Sequence, residues 1–148
     1  MAVKDDHVLV LQAFLARDFD EYDRLSEHLD STGGWEGYPT LLQAAFFEAV
    51  ERRFGTGHTV PAIVEYVADA RSRYERSGQV IDPGAAERLM LLALGDEVSV
   101  DDIDGKTLGA TELFILATLI TDANLDDASL NKFMKDVRES AAEWSTNE

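Results

Sequence analysis

The chain has 148 residues, and its 29 acidic side chains against 13 basic ones give a formal charge of −16. This surplus of acids excludes direct attraction to DNA, RNA or anionic lipid, because such binding depends on Lys and Arg that release counterions. Apolar residues make up 45% of the sequence, enough for one core, so we expect a single domain over residues 1–148.

The first apolar stripe has the spacing of a helix and comprises Val8, Leu11, Leu15, Phe19, Tyr22, Leu25 and Leu29. Asp18 and Glu21, three residues apart, form a capping pair in the middle of this stripe. The pattern therefore predicts either one long helix or two helices that meet near Arg17. Two consecutive glycines, at 33 and 34, end the segment.

The next helix is predicted over 40–54, where Thr40 and Gln43 form a capping box. Its apolar side chains recur every fourth residue, at Leu42, Phe46, Val50 and Phe54. Gly55 follows the last of them, so the helix is expected to end there.

Two further helices follow in the middle of the chain. Thr59 caps a helix predicted over 60–77, whose expected buried face comprises Val60, Ile63, Val64, Val67 and Tyr74. Gly78 is expected to end it. Asp82 caps the next helix, whose apolar run over 89–94 predicts burial on most sides.

Residues 96–108 are predicted to form an acidic connector, because acidic and turn-forming residues interrupt the helical pattern. Two helices follow, over 109–122 and 127–143, and residues 145–148 are expected to fray. No segment combines β-branched residues with sustained alternation. The predicted fold class is all-α, a single-domain bundle of about six helices in mostly antiparallel pairs.

Acidic charge is concentrated in two segments, 18–30 with six acids and 96–104 with five. An acidic surface attracts a basic protein and speeds its association. The candidate partner-binding acids are Asp20, Glu21, Asp23, Asp101, Asp102 and Asp104. The alternative is a solvated surface that serves solubility.

Trp35 and Tyr38 form a second candidate partner-binding site, because glycines at 33, 34 and 37 surround them in a predicted surface loop. Large aromatic side chains in such a position are typical of a partner anchor. Alternatively, they fold back and cover one end of the helical core.

Weak candidates for metal ligands occur before the last helix. Asp122, Asn124 and Asp126 stand at alternate positions, as the ligands of a calcium loop do. The pattern departs from such a loop at Asp127, which replaces the glycine, and at Phe133, which takes the place of the last ligand. A plain helix cap at Asp126 or Asp127 is the alternative.

The helix–acidic loop–helix stretch from Leu113 to Val137 resembles an element of tellurite-resistance TerB-like domains. Those loops carry Asp-Gly and a later Glu, where this chain has Ala123 and Asn131. The resemblance therefore implies a helical pair around an acidic loop and transfers no site residue.

The sequence contains no complete catalytic pattern. No two of its three histidines have the i, i+4 spacing of a helical metal site, and His58 is predicted to be an exposed loop residue. Gly105-Lys106-Thr107 lacks the opening glycine of a phosphate-binding loop. The sequence therefore gives no support for enzymatic activity, and no cofactor is expected.

Cysteine is absent, which removes disulfides, thiolate catalysis and zinc–cysteine sites. The N-terminus lacks the basic-then-apolar layout of a secretory signal, and no apolar run reaches the roughly 20 residues of a membrane span. These observations favour a cytoplasmic location and no membrane partner.

The main functional hypothesis is a non-enzymatic helical protein-interaction or regulatory module, with a basic protein or a second copy of the chain as its partner. The first alternative is an acidic inhibitor or immunity-type protein that occupies a basic site as a nucleic-acid mimic. The second is a cation-binding protein or metal-dependent enzyme that uses the acidic loops. Direct nucleic-acid binding is not expected.

Overall fold

The computed structural model describes residues 3–74 and 81–146, and within these ranges every regular element is a helix. The helices are α1 (Asp5–Leu15), α2 (Phe19–Thr32), α3 (Tyr38–Phe54), α4 (Val60–Tyr74), α5 (Pro83–Ala93), α6 (Gly105–Ala123) and α7 (Asp127–Thr146). The prediction of an all-α fold is confirmed.

A sharp break separates α1 from α2. Arg17 has a φ of +62°, a left-handed conformation that lies between the two helices. Asp18 begins α2, and its side chain accepts a hydrogen bond from the backbone N–H of Glu21 at 3.3 Å. This is the two-helix alternative that the capping pair predicts, and it accounts for seven helices in the described ranges rather than about six.

The start of α3 differs from the sequence prediction by two residues. The helix begins at Tyr38 rather than Thr40. Gly37 has a φ of +96°, and its carbonyl accepts a hydrogen bond from the backbone N–H of Leu41 at 3.3 Å. The glycine therefore makes the turn from which the first residues of the helix continue.

The acidic connector is shorter than predicted. Asp104 accepts hydrogen bonds from the backbone N–H of Thr107 at 2.7 Å and from its hydroxyl at 3.0 Å. This cap begins α6 at Gly105, so the prediction that the connector continues to residue 108 is wrong by about one helical turn.

Two predicted helix ends lie partly outside the described residues. The expected end of α4, at residue 77 and Gly78, falls in 75–80, which the structure does not describe. At the C-terminus, α7 continues through Thr146, into the segment that was expected to fray, and residues 147–148 are not described.

The chain divides into two compact units. The first unit contains Met1–Ala45 and Ile120–Glu148, and the second contains Phe46–Leu119. In the first unit α1 packs against α2 and α7. Asp5 pairs with Arg138, and Gln12 donates to Asn131, so α1 and α7 are antiparallel.

Apolar side chains from all three of these helices are buried in the first unit. One buried cluster joins α1 to α2 through Val10, Ala13, Leu25 and Leu29. The buried side chains of α7 are Leu130, Phe133, Met134, Val137 and Ala141. Burial of this apolar area is the main stabilising contribution to the unit.

His7 is a buried polar residue of the first unit. Its side chain is fully enclosed, Nδ1 accepts from the backbone N–H of Lys4 at 3.0 Å, and Nε2 lies 2.6 Å from the carbonyl oxygen of Gly34. Because Nδ1 is the acceptor, the ring proton is on Nε2 and is donated to Gly34. His7 therefore joins the start of α1 to the turn that follows α2.

In the second unit α4 packs against α5, and its predicted buried face is confirmed at Ile63 and Val67 but is wrong at Val60 and Val64, while the burial of Tyr74 is not described. Val60 and Val64 were expected to be buried, and they are 52% and 41% exposed. The buried face of α4 comprises Ile63, Tyr66, Val67 and Ala70. Two apolar stripes run side by side along this helix. Val60 and Val64 form the exposed stripe, and Ile63, Val67 and Ala70 form the stripe that packs in the core.

Candidate interaction surfaces

Exposed acids form a row along the outer side of α2. Asp20, Asp23 and Glu27 are three and four residues apart, so their side chains lie on one face of the helix, opposite the buried Leu25 and Leu29. We call these three residues the α2 acidic face. None of their side chains forms an ion pair or hydrogen bond with another residue of the described part of the chain. Their charges are therefore available to an external partner.

The other acids of the segment 18–30 have partners inside the protein. Glu21 is a predicted partner-binding residue, and it accepts from Nε of Arg24 at 3.0 Å on the helix surface. This hydrogen bond lowers the pKa of Glu21. Asp18 caps α2, and Asp30 accepts from the indole of Trp35. Half of the predicted acidic segment is thus used locally.

An exposed aromatic side chain adjoins the α2 acidic face. Phe19 was predicted to belong to the buried stripe, but it is 51% exposed. The ring centroids of Phe19 and Phe14 are 5.9 Å apart in an edge-to-face arrangement. The ring centroids of Phe14 and Tyr22 are 5.2 Å apart. Phe14 thus holds one side of the Phe19 ring while leaving the other side to solvent.

Three of the five acids in the second acidic segment have partners within the second unit. Asp96 lies 3.0 Å from Nε2 of His58, Asp102 accepts from Arg88 at 2.6 Å, and Asp104 caps α6. The hydrogen bond from Arg88 lowers the pKa of Asp102, and the bonds from Thr107 lower that of Asp104. The two remaining acids, Glu97 and Asp101, are exposed and have no partner among the described residues, and Asp101 is the one of them that was a candidate partner-binding residue.

His58 differs from its sequence prediction. Its side chain is 18% exposed rather than fully exposed, and it pairs with Asp96 across 38 positions of sequence. The residues next to His58 in the sequence do not indicate this contact. It forms because the acidic connector after α5 returns toward the start of α4. The pair fixes the first residue of the acidic segment.

Trp35 and Tyr38 lie against the core of the first unit. Both are half-buried beside the cluster of Val10, Ala13, Leu25 and Leu29. Their rings meet edge to face with centroids 5.0 Å apart, and burial raises the pKa of the Tyr38 phenol. These contacts cover one end of the cluster, and they leave part of each ring exposed.

The three weak metal candidates do not form a cage. Asp126 is the cap of α7, where it accepts from the backbone N–H of Ser129 at 2.7 Å, and this bond lowers its pKa. Asn124 has a φ of +50° in the turn between α6 and α7. Among residues 3–74 and 81–146, no group of three or more His, Asp or Glu side chains is arranged to hold a metal ion.

Glu112 is a buried acid that is absent from the candidate site residues predicted from the sequence. It lies in α6 among apolar residues and is 2% exposed. In the sequence, Glu112 directly precedes the apolar stretch from Leu113 to Ile120, and this position is the signal that could have identified it. An acid there is unusual, because acids are almost never fully buried without a partner.

Comparisons with known proteins assign no family to this chain. No family, no curated protein and no solved structure matches it. None of the helices, over the residues described, has the length and apolar character needed to cross a membrane.

Proposed function

We propose that this protein is a non-enzymatic interaction module that binds a basic protein through the α2 acidic face. The observation that carries the proposal is the set of three exposed carboxylates, Asp20, Asp23 and Glu27, without partners in the described structure. The proposal includes a cytoplasmic location, which the absence of cysteine supports.

Among the described residues, each acidic segment uses three of its acids internally, but the three free acids of α2 share one helical face, whereas the segment 96–104 leaves two, Glu97 and Asp101, in the connector. In the segment 96–104, three of the five acids are already paired or used as a cap. A basic partner would have to displace His58 or Arg88 to reach two of them. On α2 the partner meets three carboxylates without breaking an internal contact, so less of the binding free energy is lost.

Phe19 gives the same surface an apolar contact. A basic side chain at an exposed site gains little from charge alone, because water and salt screen the attraction. Burial of an aromatic ring adds a contribution that salt does not weaken. We therefore expect a partner with Lys or Arg at helical spacing and one apolar residue that covers Phe19.

The proposal can be tested with a fluorescent lysine-rich helical peptide and a glutamine-rich control peptide. The test variant carries Asp20→Asn, Asp23→Asn and Glu27→Gln. The matched control carries Glu65→Gln, Glu97→Gln and Asp101→Asn, which remove the same charge from exposed positions in the second unit. Binding is followed by anisotropy at about 0.1 M and about 1 M salt, between which the screening length falls from about 10 Å to about 3 Å.

We expect the lysine-rich peptide to bind the wild type and the control variant alike, with weaker binding at high salt. The α2 variant should lose at least about tenfold in affinity, which is about 1.4 kcal/mol. Equal losses in the two variants would show that net charge rather than the α2 acidic face attracts the peptide, and the proposal would then fail.

A nucleic-acid mimic is a special case of the same proposal. Its partner would be a protein whose basic site also binds duplex DNA, so added DNA would release the chain from the partner. A basic partner without such a site would stay bound. This competition distinguishes the two forms once a partner is in hand.

A further inference from the structure

Glu112 occupies the third turn of α6 in the interior of the second unit. Its neighbours on the helix are buried as well: Thr111, Ile115 and Leu116 are each at most slightly exposed. Oε2 of Glu112 is enclosed and accepts no hydrogen bond within the described residues. By contrast, the hydroxyl of the buried Thr118 donates to the carbonyl of Phe114 at 2.9 Å.

Among the described residues of the second unit, Glu112 is the one charged side chain that is buried. The buried polar side chains described in this unit are Thr111, Glu112 and Thr118. The charged side chains described on α3, α4 and α5 are all at least partly exposed: Glu48, Glu51, Arg52, Arg53, Glu65, Asp69, Arg71, Arg73, Glu87 and Arg88. On α6 itself, Lys106 is exposed and stands six residues before Glu112.

An enclosed carboxyl without a counter-charge favours its neutral form. Moving a carboxylate out of water costs several kcal/mol, whereas the protonated acid costs much less. Burial therefore raises the pKa of Glu112 to about 7, and burial is the cause of the shift. At a pH between about 4.5 and about 7, Glu112 therefore keeps its proton in the folded unit, whereas it has released this proton in the unfolded chain.

We propose that Glu112 makes the second unit a pH-sensitive element: the unit is closed while this carboxyl carries its proton, and α6 opens more often once the proton has passed to water. The geometric basis is a buried carboxyl whose Oε2 is enclosed and has no hydrogen-bond donor among the described residues. The ionised form gains a hydration shell when α6 opens, so ionisation favours the open state.

The direction of the pH effect follows from the two protonation states. Below about 4.5, the ordinary pKa of Glu, both the closed and the open forms carry the proton. Between about 4.5 and about 7, only the closed form does, so closure weakens as the pH rises. The opening equilibrium should increase up to about tenfold per pH unit in this window and level off above it.

Amide hydrogen exchange of the full chain, followed by mass spectrometry from about pH 5 to about pH 8, tests the proposal. Rates are corrected for the intrinsic pH dependence of exchange. The test variant is Glu112→Gln, which has nearly the shape of the neutral acid and cannot ionise. The matched control is Glu65→Gln, which removes an exposed acid from the same unit.

In the wild type and in the control variant, we expect protection of peptides from α6 to fall at least tenfold as the pH rises through the window. In Glu112→Gln the protection should stay constant. A wild-type protection that does not change with pH, or a pH dependence that persists in Glu112→Gln, would overturn the proposal.

A second measurement needs no variant. Carbon-13 NMR of the Glu112 side-chain carboxyl in the wild type reports its titration midpoint directly. A midpoint near about 7 supports the switch, and a midpoint near the ordinary value of about 4.5 refutes it even if Glu112→Gln does not fold.

Discussion

The indole N–H of Trp35 donates a hydrogen bond to the carboxylate of Asp30, at 2.6 Å, across the C-terminal turn of α2. This bond and the edge-to-face contact with Tyr38 hold the indole over the buried cluster of the first unit. The geometry predicts that Trp35 stabilises the fold through packing more than through its hydrogen bond.

Replacement of Trp35 separates these two contributions. We expect Trp35→Ala to lower the free energy of unfolding by about 2 kcal/mol, because a half-buried aromatic ring is lost. Trp35→Phe keeps most of the packing and should cost about 1 kcal/mol, the value of one hydrogen bond. Urea unfolding monitored by circular dichroism measures both. An Ala variant as stable as the wild type would contradict this role.

Removal of the buried His7 should be more costly. His7→Ala leaves a cavity and deprives the Lys4 N–H and the Gly34 carbonyl of their partner. The expected loss of stability is about 3 kcal/mol. The control is His28→Ala, because His28 is exposed and lies 3.6 Å from Asp6, a surface pair worth under about 1 kcal/mol. Similar unfolding midpoints for the two variants would refute the prediction.

Arg17 adopts a conformation that glycine adopts without strain. Its φ of +62° brings Cβ close to its own backbone, so Arg17→Gly should raise the free energy of unfolding by about 0.5–1 kcal/mol. Arg17→Ala keeps Cβ and should leave the stability nearly unchanged. Thermal unfolding of the three proteins measures the difference, and a Gly variant no more stable than the Ala variant would show that the break costs nothing.

The Arg88–Asp102 pair should contribute to stability in a pH-dependent way. The folded pKa of Asp102 lies below its ordinary value, so the contribution is present at neutral pH and is lost as the pH falls through the folded pKa. Asp102→Asn should therefore be less stable than the wild type at neutral pH and equal to it in acid. Asp101→Asn removes the same charge beside it and should show no such convergence in denaturant titrations at several pH values.

The two apolar stripes of α4 predict opposite responses to a charge. Val64 is largely exposed, so Val64→Lys should change the free energy of unfolding by less than about 0.5 kcal/mol. Val67 is fully buried, and Val67→Lys should cost at least about 3 kcal/mol. Denaturant unfolding of both variants measures the two free energies. A Val64→Lys variant as strongly destabilised as Val67→Lys would show that Val64 is buried, as predicted from the sequence.

Helix boundaries could be predicted at the local caps of α2 and α5, although the equally local cap of α6 at Asp104 was missed. Asp18 and Asp82 each accept hydrogen bonds from N–H groups no more than three residues away. Gly33, with a φ of +66°, is the C-cap of α2 and directly follows Thr32, the last residue of the helix. Such contacts depend only on neighbouring residues, so the sequence is sufficient to locate them.

Contacts between distant segments could not be predicted. Arg88 and Asp102 are fourteen residues apart, and the pair forms only because the connector returns to α5. The same limit applies to α4, where spacing alone does not distinguish the stripe of Val64 from that of Val67. Exposure of acids on α2 could be predicted, whereas internal pairing of the second acidic segment could not.

Both tryptophans of the chain, Trp35 and Trp144, belong to the first unit, and the second unit contains none. Indole fluorescence consequently reports the first unit alone, while far-ultraviolet circular dichroism averages the helices of both. If the two signals change together during denaturation, the units unfold as one cooperative body; if they separate, each unit has its own transition. The chain therefore carries an intrinsic optical label that distinguishes its two halves without any added dye.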